Sequence, residues 1–204
     1  MSVTFDLLHS LRVKGLAKPE VLSDLSGVPS AELEAACAPL VEDGLVMLRG
    51  GAVGGYMLTP TGREEAVRLL VDDDETTAAA GALADFDEAF LPHNTEFKKI
   101  CHRWQMRNDD EPNDHTDAEY DAAVIGELSE FHTGFLPVLE TIEGPLPRFG
   151  RYRDRLEVAL RRVLSGDATA FARPMADSYH DIWMELHNDV VLSLRRERTS
   201  ADES

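Results

Sequence analysis

The side chains best suited to chemistry lie near the C-terminus. His180 and His187 stand seven residues apart with Trp183 between them, and on a helix that spacing returns to one face. Two imidazoles and an indole therefore share a stripe. Trp104, Gln105, His115 and His132 come from other segments of the same half. Gathered in one interior they would form a site of aromatic rings and neutral donors, suited to a small organic effector, possible anions included. A metal would need His180 and His187 to converge with a carboxylate such as Glu185 or Asp177. None of the established ligand spacings is present, so no metal and no cofactor is expected. Hydrogen-bonded histidines packed between helices account for the same residues without any ligand.

Other reactive patterns are missing. The sequence has no G-x-S-x-G, no phosphate-cradling glycine loop before a helix and no paired Cys-His arrangement, so catalytic residues are not expected and the chain does not read as an enzyme. Asn113-Asp114-His115-Thr116-Asp117 is polar enough for a catalytic loop, but Thr116 or Asp117 would serve equally as the cap of the helix that follows. Cys37 and Cys101 sit in apolar surroundings and read as small core residues rather than a disulfide or a thiolate metal site.

The elements that would position these residues follow from periodicity. Phe5, Leu8 and Leu11 mark a first helix, and Val21, Leu22 and Leu25 a second after Lys18-Pro19. Pro29-Ser30 opens a third, with Leu33, Cys37, Leu40 and Val41 as its buried stripe and Gly44 as its stop. Two short apolar runs, Leu45 to Leu48 and Tyr56 to Leu58, flank a glycine-rich stretch and predict a β-hairpin. Thr59-Pro60 then starts a fourth helix that reaches Val71. Beyond the acidic run Asp72 to Glu75, read as an exposed joint, four amphipathic stripes follow. They run from Leu83 to Trp104 with a break near Pro92, from Tyr120 to Leu139, from Phe149 to Val163 and from Met175 to Leu194. No strand signal appears among them, so an all-α four-helix domain is expected. The expected division is 1–72, 73–198 and a disordered tail at 199–204.

Helix, helix-turn-helix, hairpin and helix in that order resembles the winged-helix domains of MarR- and ArsR-like regulators. The likeness rests on Leu40-Val41-Glu42-Asp43-Gly44-Leu45-Val46 and on Leu58-Thr59-Pro60-Thr61-Gly62-Arg63, and it covers about the first 70 residues. It implies a mainly α protein with a three-helix core and a hairpin wing ahead of the helical domain, acting as a transcriptional regulator. The second half resembles a segment appended to some actinobacterial pyruvate phosphate dikinase-like, phosphoenolpyruvate-utilising proteins. Cys101-His102-Arg103-Trp104-Gln105, Asn113 to Asp117 and the run from Asp177 to His187 carry that likeness. The long catalytic domains of those enzymes are not in this chain, so their activity does not transfer. The alternative it raises is an interaction module that regulates a partner enzyme.

Charge weighs on that choice. The chain carries 20 basic against 38 acidic side chains, a net of -18, and such a field repels phosphate polyanions unless cations are gathered locally. A winged helix reads DNA with donors on its third helix and cations on its wing. Here the third helix offers Glu32, Glu34, Glu42 and Asp43 and no Lys, Arg, Gln or Asn. DNA contacts would fall to Ser30 at its start, Arg49 on the wing, and Lys14, Lys18 and Arg63 at the flanks. Partners therefore stay open between DNA, a small-molecule effector, a second copy in a homodimer and another protein. No run of eighteen apolar residues and no secretory signal is present, so no membrane partner and a cytoplasmic location are expected.

Overall fold

A computed structural model describes residues 2–51 and 54–197. The chain is mainly helical, with small antiparallel sheets. α1 (Val3–Lys14) starts on Ser2, whose hydroxyl accepts from the Phe5 amide. β1 (Leu16–Ala17) leads into α2 (Pro19–Ser26), with proline at its first position. α3 (Ser30–Glu42), β2 (Val46–Arg49), β3 (Gly55–Leu58) and α4 (Pro60–Val71) complete the first half. β1 is too short to show as a periodic run in the sequence, yet it pairs with β3 and makes a three-stranded sheet in the order β1-β3-β2. Leu7, Leu8, Leu11, Leu22, Leu33, Cys37, Leu40 and Leu58 share one apolar core.

The acidic joint is itself structured. Asp73 accepts from the Thr76 amide and caps the short α5 (Asp74–Ala78), as carboxylates at helix N-termini do. α6 (Ala80–Gln105), α7 (Ala118–Glu143), α8 (Gly150–Leu164), α9 (Thr169–Ala172) and α10 (Tyr179–Ser193) follow, with a 3-10 turn at Pro147–Phe149 before α8. They enclose an aromatic core in which the Trp183 ring lies 4.8 Å from those of Phe90 and Phe97 and 4.6 Å from that of Phe135. Leu25 of α2 belongs to this second core, so the two halves share apolar contact.

Four expectations are corrected here. α6 is continuous through Pro92. Pro92 faces solvent, and the burial of Phe90, Asn94 and Phe97 on the inner side outweighs the roughly 3 kcal/mol that an interior proline costs. The helical half is not all-α, because β4 (Met106–Asn108) and β5 (Glu111–Pro112) form a small ribbon inside the polar loop. Val41 is 40% exposed rather than buried, since Cys37 and Leu40 turn to the core and leave it outside. The last helix begins at Tyr179, not Met175, because the Ser178 capping box sets its start and leaves Met175 exposed. The disordered tail expected at 199–204 and part of the glycine-rich hairpin tip lie outside the described residues.

One close approach fixes how α4 meets the turn after α3. The Thr59 hydroxyl donates to the Gly44 carbonyl at 2.6 Å and accepts from the Gly62 amide at 3.0 Å. This pulls α4 so near that a Cβ on Gly62 would lie 1.9 Å from the Leu45 carbonyl oxygen. Gly62→Ala should therefore destabilise the protein by about 2–3 kcal/mol, the scale of an overpacked contact against backbone. Chemical denaturation reads this as a lower midpoint at unchanged slope.

Candidate functional site

α10 is the element on which the chemistry converges. Ser178 accepts from the Asp181 amide, and the Asp181 carboxylate accepts in return from the Ser178 and Ala176 amides. From that fixed start the 3.6-residue period sends Tyr179, Trp183, Leu186 and Val190 into the core. His180 and Met184, four apart, point the other way and line two grooves at once. Glu185, Asn188 and Asp189 turn toward α1.

The first groove lies where the two halves of the chain meet and encloses about 500 Å³. Val13, Leu16, Lys18 and Val21 form one wall; Met175, His180, Met184 and Asn188 stand on the other. Its charge is mixed, with Lys14 and Lys18 beside Asp177, Asp181 and Glu185. The second groove, of about 530 Å³, runs between α6 and α10. Lys98, Lys99, His102 and Gln105 of α6 face His180, Trp183 and Met184 across it. Burial pushes the His180 imidazole below its ordinary value despite Asp181 nearby, which disfavours its charged form. Burial also pushes the Cys101 thiol, on the same wall, up to about 12, which makes a thiolate nucleophile inaccessible.

Behind α10, two buried polar clusters attach it to its neighbours. In the first, Asp189 is 2% exposed and fully engaged. His9 of α1 donates through Nε2 to its Oδ1 at 2.8 Å, Ser193 donates to the same oxygen at 2.9 Å, and the Tyr152 hydroxyl donates to Oδ2 at 2.9 Å. Arg148 stands 3.7 Å away and also donates to Thr76 and Ser193. Burial by itself would raise the Asp189 carboxyl; His9, Arg148 and the Ser193 hydroxyl overcome it and hold the group well below the usual carboxylate range. In the second cluster Lys14 of α1 and Arg155 of α8 both donate to Glu185, and Arg155 also reaches Asp177. Further contacts tie the halves at the periphery. Arg151 donates to the Leu25 carbonyl at 2.9 Å and to Asp6 at 3.2 Å, and Arg195 donates to the Leu70 carbonyl at the end of α4.

The expected ligand site is only partly assembled. Gln105, His180 and Trp183 meet in the α6–α10 groove. Trp104 and His115 meet in a tilted contact with ring centroids 4.4 Å apart, and Trp104 also lies flat against Phe171, away from that groove. His115 is held by Asp121 at 3.0 Å, and Asp117 caps α7 by accepting from the Glu119 and Tyr120 amides. His132 is buried 3.1 Å from the Tyr179 hydroxyl, and burial lowers its basicity. His187 is buried with its ring 5.0 Å from that of Phe90. His180 and His187 lie on one side of α10, as their spacing implies, but two turns apart they meet different surroundings: His180 reaches the groove, whereas His187 is buried against Phe90. Among the described residues no three His, Cys, Asp or Glu side chains are grouped to hold a metal ion. Both cysteines are free and buried.

Of the residues expected to touch DNA, Ser30, Lys18, Arg49 and Arg63 are exposed. Lys14 is not available, since its ammonium is committed to Glu185 and its side chain is only 14% exposed. Arg68, also on α4, is engaged by Glu65 and Asp72. The outer face of α3 presents Glu32, Glu34 and Glu42, and next to its C-terminus Val41, Met47 and Leu48 are exposed apolar side chains.

Sequence reasoning missed Lys98, Lys99, His102 and Met184, and the whole of the Asp189 cluster. A signal for the latter exists: Glu185 and Asp189 stand four apart on one side of the helix, flanking the apolar stripe of Ile182, Leu186 and Val190, and when buried need cations or donors as partners.

Replacing Asp189 by Asn keeps the shape and removes the charge that Arg148 faces. The expected loss is about 3–5 kcal/mol, the scale for breaking one side of a buried pair. Because the native carboxyl is held low, its contribution is fully present above the free carboxylate range, about pH 4, and fades as the pH falls further. Denaturation midpoints taken from pH 7 to pH 3 should fall more steeply for the unaltered chain than for Asp189→Asn; parallel curves would contradict this. No family model, no curated protein and no solved structure matches the chain.

Proposed function

We propose that residues 1–72 form a winged helix and that the chain is a regulator whose helical half receives a small-molecule effector. The observation that carries this reading is the double duty of α10. His180 and Met184 line both grooves, while Glu185, Asn188 and Asp189 on its other side hold α1 of the winged helix. A ligand that shifts α10 is thus felt directly by the helix that packs against α2, α3 and α4. Regulation follows if the ligand binds one arrangement of that contact more tightly than another.

The surface of α3 bears on the output. Its carboxylates oppose phosphate, and Lys14 and Arg68 are already paired. A transcriptional role would rest on Ser30, Lys18, Arg49 and Arg63. The second reading, a module that docks on a protein such as a phosphoenolpyruvate-utilising enzyme, is favoured by the exposed apolar trio Val41, Met47 and Leu48 beside the acidic face.

Fluorescence anisotropy of the full chain with genomic duplex fragments at about 50 mM salt separates the two outputs. A fragment bound at least about 100-fold more tightly than random duplex, and weakened by Arg49→Ala, establishes the transcriptional reading. Uniformly weak binding leaves the protein-docking output, for which Met47→Asp with Leu48→Asp should abolish the partner complex.

A further inference from the structure

The α6–α10 groove has a charge pattern opposite to that of the chain around it. Acidic side chains outnumber basic ones 38 to 20 overall, yet the described residues lining this groove include Lys98 and Lys99 and not one Asp or Glu. The neighbouring groove, on the far side of His180 and Met184, has three carboxylates in its lining. The nearest of these to His180 in sequence, Asp181, is occupied with capping α10.

Helical spacing explains the pattern. Lys98, His102 and Gln105 fall at i, i+4 and i+7 of α6 and present a single polar stripe to the groove. Lys99 adjoins that stripe, and both it and His102 are exposed. Below them the floor is apolar and rigid. Trp183 is fully buried, its Nε1 donates to Asn94 at 3.0 Å, and its ring packs against Phe97, whose own ring stacks near His180. Met184 supplies a polarisable edge that adapts to different shapes. With its indole N–H taken and Cys101 held neutral by burial, the floor beneath Met184 offers no polar direction.

We propose that this groove binds a small organic anion with an apolar body, the headgroup seated at Lys99 and His102 and the body laid against Met184, above the buried rings of Phe97 and Trp183. A carboxylate and a phosphate both suit the Lys99 ammonium and an imidazole N–H donor, and the volume of about 530 Å³ accepts an acyl chain or ring system of modest size. The assignment deepens the effector reading by naming the chemical class of its ligand.

Isothermal titration of the full chain with octanoate, hexyl phosphate and the neutral octan-1-ol tests it. At low salt the better anion should bind at least about tenfold more tightly than the alcohol, and the advantage should shrink as salt rises. The order of octanoate and hexyl phosphate identifies the headgroup. Lys99→Gln combined with His102→Gln should remove most of the anion's advantage while leaving the alcohol's affinity and the thermal midpoint unchanged, since both side chains are exposed. Saturation should also change tryptophan emission, and Trp183→Phe should suppress that change. Equal affinity for anion and alcohol, an anion affinity that survives the double substitution, or no binding of any probe would overturn the proposal. Failure of the regulator reading is distinguishable, because it leaves anion binding intact and shows only as a complex with DNA or protein that the anion does not alter.

Discussion

The buried Asp189 carboxylate is the constraint on which the arrangement of this protein depends. A charge placed that deep is tolerated only when each oxygen is paired. Here the partners come from four separate places in the chain: His9 in α1, Arg148 ahead of α8, Tyr152 within α8 and Ser193 in α10 itself. Satisfying one side chain therefore fixes three helices relative to one another. The neighbouring Glu185, with Lys14 and Arg155, repeats the device one turn earlier. Apolar contacts between the halves, such as Leu25 against the aromatic core, supply adhesion without direction. The ion pairs supply the direction, because hydrogen bonds to a buried charge tolerate little displacement.

This construction leaves α10 with three faces of different character. One is apolar and locked among Phe90, Phe97 and Phe135. A second is ionic and bound to α1 and α8. The third, marked by His180 and Met184, is the part of the helix that a ligand can reach. A helix held so firmly does not swing freely. Its connection to α1 runs through short polar contacts, among them the 2.8 Å bond between His9 and Asp189.

Surface charge divides the molecule in a way its net value hides. Many of the arginines serve internal pairing: Arg148 and Arg155 are buried, and Arg151, Arg153 and Arg162 are engaged by Asp6, Glu143 and Asp167. The acidic excess is left to the exterior, including the outer face of α3. Against that background the described lining of the α6–α10 groove, with Lys98 and Lys99 and no carboxylate, departs from the surface around it.

Much of the secondary structure was legible in the sequence because it depends on neighbours in the chain. The 3.6-residue stripes, the proline and threonine at the start of α4, the glycines that close α2 and α3, and the cap at Asp117 all act within a few residues. Strands of two or three residues left no period to detect, and Pro92 misled because a local preference was overruled by burial on the opposite side of the helix. The site was legible only in part. Gln105, His180 and Trp183 were identified and do meet, but His132, His187, Trp104 and His115 went to other contacts. Types and spacing along one chain determine which residues share a helix face. Which helix that face meets is settled by packing and by buried charges seeking partners as far apart as His9 and Asp189, and only the tertiary structure decides it.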